Sequence, residues 1–155
     1  MYEVTKMEQE TLMEENKSLK KCNLIVVYSS KEDQVLMCMR RKPPYQGLFN
    51  FVGGKIEPGE TGIHAAYREL EEETAITPDD IQLVHLADFI YYVDGWHMEV
   101  YVGKLKKALA VSGDENQLCW KSVDEDFFDT ARYAGNGNIG HIMKLVENSK
   151  KQLLR

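Results

Sequence analysis

Three glutamates, Glu69, Glu72 and Glu73, stand within five residues of one another, preceded by a fourth at Glu60 and a glycine pair at Gly53-Gly54. On a helix of 3.6 residues per turn the three fall within an arc of roughly 100°. Ile63, Ala66, Tyr67, Leu70 and Thr74 centre on a face roughly 110° away and read as the buried stripe. Carboxylates at i,i+3 and i,i+4 spacing repel one another, and a shared cation relieves that repulsion. Oxygen-only donors suit Mg2+ or Mn2+, with phosphate oxygens completing the shell. Glu71 points away from the cluster and reads as surface.

The approach to this helix fits the same chemistry. Gly53-Gly54 lets backbone run close to a ligand where a Cβ would obstruct it. Glu57-Pro58-Gly59-Glu60 is a turn sequence, and Thr61 is placed to cap the helix. Glu60, near the first turn, favours the helix dipole and comes close enough to join the acidic cluster.

Gly54, Glu60, Arg68, Glu69, Leu70, Glu72, Glu73 and Ile76 follow the spacing G-x5-E-x7-R-E-U-x-E-E-x-G-U, where U is aliphatic. Ala75 stands where the pattern has its last glycine. At ordinary residue frequencies such a match arises by chance on the order of 10⁻⁸ per start site. The segment resembles the box of the Nudix (MutT-like) pyrophosphohydrolases, which cleave nucleoside diphosphates linked to another group. It is specific over residues 53–76 and looser over 22–125.

The resemblance implies an α/β/α sandwich with a mixed sheet, and a divalent ion held by Glu69, Glu72, Glu73 and the Gly53 carbonyl. Glu69 or its neighbour would activate the attacking water, with Arg68 buttressing a catalytic carboxylate. Lys55 is a candidate phosphate contact. Glu115, with Asp114 beside it, is the candidate for a further acid from a loop after the box. Gly at a helix end allows positive φ, so Ala75 implies an adjusted helix exit with the ligands unaffected.

The elements that must position this helix follow from periodicity and turn residues. Asn23–Tyr28 and Gln34–Met39 read as strands joined by a polar turn, and Leu48–Val52 as a short strand delivering the chain to the glycines. Ile81–Val93 and Met98–Leu105 are β-rich around the hairpin signal Asp94-Gly95. Gln117–Trp120 reads as a further strand, Asp124–Arg132 as a short helix, and Ile139–Leu154 as a closing amphipathic helix. Strands interleaved with helices place the chain in the α/β class. Residues 1–20 are a polar leader, helical or loosely ordered, and 21–155 form one domain.

Composition narrows the function. The 155 residues carry 19 basic and 25 acidic side chains, a net charge of −6, with no basic stripe for a nucleic-acid polymer. An acidic protein that handles polyphosphate needs local positive charge, and a bound metal supplies it. Cys22, Cys38 and Cys119 have no metal or CxxC spacing, which suits reduced thiols in a cytoplasmic protein. No apolar run approaches a membrane span. The chain is expected to be a monomer or homodimer.

Several residues bear on the nucleotide. Phe49-Asn50-Phe51-Val52-Gly53-Gly54-Lys55 is similar to the Trp-Asn-Gly-Phe-Gly-Gly-Lys stretch of the oxidised-purine triphosphatases, the 8-oxo-dGTP diphosphatase branch. Asn50 would there present donor and acceptor to a purine edge. Arg40, Arg41 and Tyr45 stand upstream to meet phosphate or base, and Trp96 or Trp120 could stack on a base. Tyr91 and Tyr92 instead resemble a tyrosine of the dinucleoside-polyphosphate hydrolases. The ADP-ribose class, with a proline in that region, is a third reading, and a non-catalytic nucleotide-binding module a fourth. Such modules lose box carboxylates, whereas all four are present. The glycine-rich run 133–141 lacks a P-loop lysine and reads as a helix-entry turn.

Overall fold

The computed structural model describes residues 6–8, 19–111 and 117–154. One mixed sheet contains β1 (Lys20–Tyr28), β2 (Gln34–Met39), β3 (Phe49–Phe51), β4 (Val84–Tyr91), β5 (Trp96–Lys104) and β6 (Gln117–Ser122). The strand order is β3-β2-β1-β5-β4, with β6 also paired to β2. β1 runs parallel to β5 from Lys20↔Trp96 to Tyr28↔Lys104, and the other pairings are antiparallel. A central parallel strand is covered on both faces, which is why Asn23–Tyr28 is a nearly unbroken apolar run that is buried throughout.

Two helices cover the two faces. Ile25 and Val27 of β1 join Leu36, Cys38, Val52 and Tyr101 beneath Ala66 and Leu70 of helix α1 (Gly62–Thr74). Leu24, Val26 and Tyr28 pack on the opposite side with Ile139, Ile142, Met143 and Val146 of helix α2 (Asn138–Leu153). The alternation of β1 thus divides the core in two, and the architecture is the expected α/β/α sandwich. Tyr67 anchors α1 to the sheet end, its hydroxyl accepting from the Leu83 N–H at 2.9 Å.

Several boundaries differ from those read in the sequence. β1 starts at Lys20 because Lys20 N–H bonds the Gly95 carbonyl at the hairpin turn, 2.9 Å. β4 starts only at Val84; Ile81 makes an isolated bridge to Leu105. The expected helix over Asp124–Arg132 does not form, and the segment is a series of turns. Asp126 and Asp129 accept from the N–H groups of Phe128 and Ala131, two residues on, at 3.1 and 3.0 Å, in place of helical bonding. Ala75 does not adjust away from the left-handed cap: it sits at φ 65°, ψ 9°, its N–H bonded to the Glu71 carbonyl. Of the polar leader, residues 1–5 and 9–18 lie outside the described residues.

Candidate active site

Helix α1 begins at Thr61, whose hydroxyl accepts from His64 N–H at 3.3 Å. It presents its carboxylates beside the strand-to-loop exit at Gly53-Gly54. The Glu69 carboxylate lies directly over Gly54: a Cβ there would stand 2.4 Å from Glu69 Cδ. Glu73 Oε2 is 3.4 Å from the Gly53 N–H. Gly53 itself has φ 150°, and a Cβ on it would meet the Asn23 carbonyl at 2.2 Å. Gly53 is therefore required by its close approach to backbone, and Gly54 leaves room for the Glu69 carboxylate.

Arg68 lies among the acids. Its Nη2 and Nε donate to the two oxygens of Glu60 at 2.6 and 3.0 Å, and Nη1 reaches Glu69 at 3.0 Å and Glu72 at 3.3 Å. A further bond joins Nη2 to the Lys55 carbonyl at 3.0 Å, tying helix to loop. The fork holds Glu60 down to about 2, its bond to Arg68 acting first and the Glu57 N–H second. Glu69 moves the other way. Burial raises its pKa and outweighs the Arg68 bond, with Glu72 and Glu60 adding like charge. One carboxylate is thus locked as an anion while a neighbour on the same guanidinium is pushed toward holding a proton. Glu72 is mostly exposed and Glu71 points to solvent.

Glu69, Glu72 and Glu73 offer only oxygen donors, like-charged and gathered on one flank beside the backbone at Gly53. That donor chemistry fits Mg2+ or Mn2+. Glu60, read from the sequence as a member of the cluster, spends both oxygens on Arg68 and a third contact on the Glu57 N–H at 2.8 Å. Glu115 and Asp114 lie outside the described residues.

The base-reading candidates divide between the two faces. Asn50 pairs with Cys38, and Cys38 with Leu118, so the three form a row across β3, β2 and β6 on the face that carries α1. Trp120 and Leu36 form the next row, half-buried and buried. Asn50 Oδ1 accepts from the Phe51 N–H at 2.9 Å. The Cys38 thiol is pushed up to about 12, first by burial and then by the charge of Glu73, which leaves it a poor nucleophile. Tyr91 instead bonds Asn138 of α2 on the opposite face, and Tyr45 accepts from Asn136 at 3.1 Å. Tyr92 is exposed at the hairpin. Arg40 donates to the Pro44 carbonyl within its own loop, 2.7 Å. Arg41 and Lys55 are exposed. Trp96 lies under the Lys20 ammonium, 5.7 Å from the ring centroid.

Sequence reasoning passed over Asn23. It is 1% exposed, and its Oδ1 accepts from the Gly54 N–H at 3.0 Å, fixing the glycine turn beside Glu69. Its Nδ2 is buried with no acceptor among the described residues. The signal was an amide heading the apolar run Asn23–Tyr28, where an unpaired polar group is costly.

Known proteins resemble this chain in sequence and in fold. The model of the NUDIX domain family matches residues 21–137. The chain is 40% identical over 48 residues to an ADP-ribose pyrophosphatase of Methanocaldococcus jannaschii, covering 31% of this chain and 28% of that protein. The chain thus spans less than a third of that relative's length. It is 28% identical over 104 residues to the oxidized purine nucleoside triphosphate hydrolase of Danio rerio, covering 66% and 67% of the two chains. A C. elegans Ap4A hydrolase superposes with a TM-score of 0.69 at 20% identity over 86% of this chain and 98% of its own. With the domain model spanning most of the sequence and the acidic helix in place, the chain belongs to the Nudix family.

Proposed function

We propose that the protein is a divalent-metal-dependent pyrophosphohydrolase that cleaves a purine nucleoside triphosphate, including oxidised forms such as 8-oxo-dGTP, to monophosphate and pyrophosphate. The observation that carries the reading is the gathering of Glu69, Glu72 and Glu73 at the Gly53-Gly54 turn with Arg68 among them.

Glu69, Glu72, Glu73 and the Gly53 carbonyl would hold Mg2+ or Mn2+. Bound there, the ion neutralises phosphoryl oxygens and acidifies water. Glu69, whose proton affinity burial raises, is suited to accept a proton from the attacking water. Arg68 keeps that carboxylate oriented through Nη1 while Glu60 pins the other edge of the guanidinium. Lys55, Arg40 and Arg41 are proposed phosphate contacts, and Glu115 a further acid.

Asn50 supports the purine assignment, because it shares a sheet face with α1 and with the half-buried Trp120. The relatives act, by their names, on ADP-ribose, oxidised purine triphosphates and Ap4A, so the substrate is decided by assay. The protein is proposed to work in the cytoplasm as a monomer or homodimer. No helix among the described residues is long and apolar enough to cross a membrane.

The test is hydrolysis with Mg2+ across canonical and oxidised triphosphates, ADP-ribose and diadenosine polyphosphates, with products identified. Purine triphosphates should be turned over fastest, giving monophosphate and pyrophosphate. Orthophosphate plus diphosphate as main products, or faster turnover of ADP-ribose or a diadenosine polyphosphate, would overturn the assignment.

A further inference from the structure

A second group of ligating side chains lies on the β4–β5 hairpin, distinct from the Glu69, Glu72 and Glu73 group. His85 Nε2 is 2.6 Å from Asp88 Oδ1, and His97 Nε2 is 3.1 Å from Asp88 Oδ2. One ligand atom each from His85, Asp88 and Glu99 lies within 4.8 Å of the other two. We propose that His85, Asp88 and Glu99 bind one transition-metal ion of the Zn2+ class, with His97 beside the second oxygen of Asp88.

The backbone builds this group. His85 and Asp88 are three apart, a spacing that puts them on opposite faces of a regular strand. A register shift between His85 and Ala87 brings both to one face, so that His85 pairs with Tyr101 and Asp88 with Glu99. Bulges commonly re-aim side chains in this way. The result sets two carboxylates directly opposite each other, an arrangement that is destabilising without a cation between them.

Among the described residues neither acid has a lysine or arginine ion-pair partner. Asp88 has only the two imidazoles, and Glu99 accepts from the Tyr101 hydroxyl at 3.2 Å. His97 Nε2 is buried and, despite its nearness to Asp88, lies off the line of a hydrogen bond. Imidazole nitrogen with carboxylate oxygen is a donor set for Zn2+, against the all-oxygen set of the box. Tetrahedral ligands about 2.0–2.1 Å from Zn2+ stand about 3.3 Å apart. The three ligand atoms all lie within 4.8 Å of one another, His85 and Asp88 at 2.6 Å, close enough to converge on one ion.

The group sits at the start of α1, away from the stretch that carries Glu69, Glu72 and Glu73. Glu99 lies against Gly62, where a Cβ would stand 2.5 Å from its carboxylate. Glu69 is seven residues further along α1, about 10 Å by helical rise. An ion here would clamp the hairpin beside the start of the helix that carries the box. His85 and Asp88 are 48% and 38% exposed, which leaves an entry path.

Zn2+ binding to the full chain is measured by equilibrium dialysis in excess Mg2+, alongside NMR of the histidine rings. One Zn2+ per chain should bind, and the His85 and His97 signals should shift with Zn2+ but not with Mg2+. His85→Ala and Glu99→Gln should each weaken binding at least roughly 10- to 100-fold, the range seen when a metal site loses even a supporting group. A Glu72→Gln, Glu73→Gln double variant should bind as wild type. Binding that survives both hairpin substitutions, is lost with the box carboxylates, or leaves the histidine signals unmoved would overturn the site.

Discussion

The carboxylate of Glu69 rests on the bare Cα of Gly54, so close that a Cβ would come within 2.4–2.6 Å of its carbon and both oxygens. Gly54→Ala should therefore push the end of that side chain aside, at modest cost to stability because a flexible terminus can move. A misplacement of about 1 Å at a catalytic group lowers rate by about 10²-fold. The variant should melt near the wild-type temperature yet lose kcat by about that factor. Wild-type kcat would show that Glu69 does not need this position.

Glu72→Gln and Glu73→Gln should each lower kcat by at least ~10²-fold, the usual scale for general-base or metal-binding functions. Excess EDTA should abolish turnover of the wild type. The far-ultraviolet spectrum should stay unchanged, because Glu72 is mostly exposed and Glu73 sits at the cluster edge. Undiminished rates in EDTA or in either variant would remove the metal mechanism.

Ala75 holds a left-handed cap at φ 65°. Relieving its Cβ with Ala75→Gly should stabilise the fold by about 1 kcal/mol, the cost of a non-glycine residue in that conformation. Urea unfolding would register this as a higher midpoint at unchanged slope. An unchanged or lower midpoint would contradict the cap geometry.

Glu60 should titrate at about 2 by carboxyl NMR, its bond to Arg68 being the largest cause. The folded value lies below the ordinary one near 4.5. Its contribution to stability is therefore present above that ordinary range and lost as pH falls toward 2. Arg68→Ala should return the midpoint toward its usual range, and Arg68→Lys should restore only part of the shift, since an ammonium cannot reproduce the fork. A wild-type midpoint near 4.5 would mean that the fork is not formed in solution.

If Asn50 reads a purine edge, Asn50→Ala removes a paired polar contact, which usually costs about 1–3 kcal/mol. Activity on purine triphosphates should then fall roughly 5- to 150-fold in kcat/KM, with metal dependence unchanged. Discrimination between oxidised and normal guanine should shrink as well. Equal losses on purines and pyrimidines would make Asn50 a structural residue, its side chain bonded to the N–H of the next residue, Phe51.

Most of what depends on helical and strand repeats was legible in the chain. The acidic flank of α1, its Thr61 cap, the apolar run of β1 and the period of α2 follow from helical and strand repeats, which are local geometry. Long-range approach was not legible. That Asn23 bonds Gly54, that Glu69 lies over a glycine fifteen residues before it, and that Glu60 spends its charge on Arg68 are settled by packing α1 against the sheet. The Asp124–Arg132 segment became turns because aspartates competed for its N–H groups around a buried Tyr133. His85 meets Asp88 and Glu99 only because one register shift reverses a face, and such a shift belongs to the pairing of two strands rather than to either strand alone.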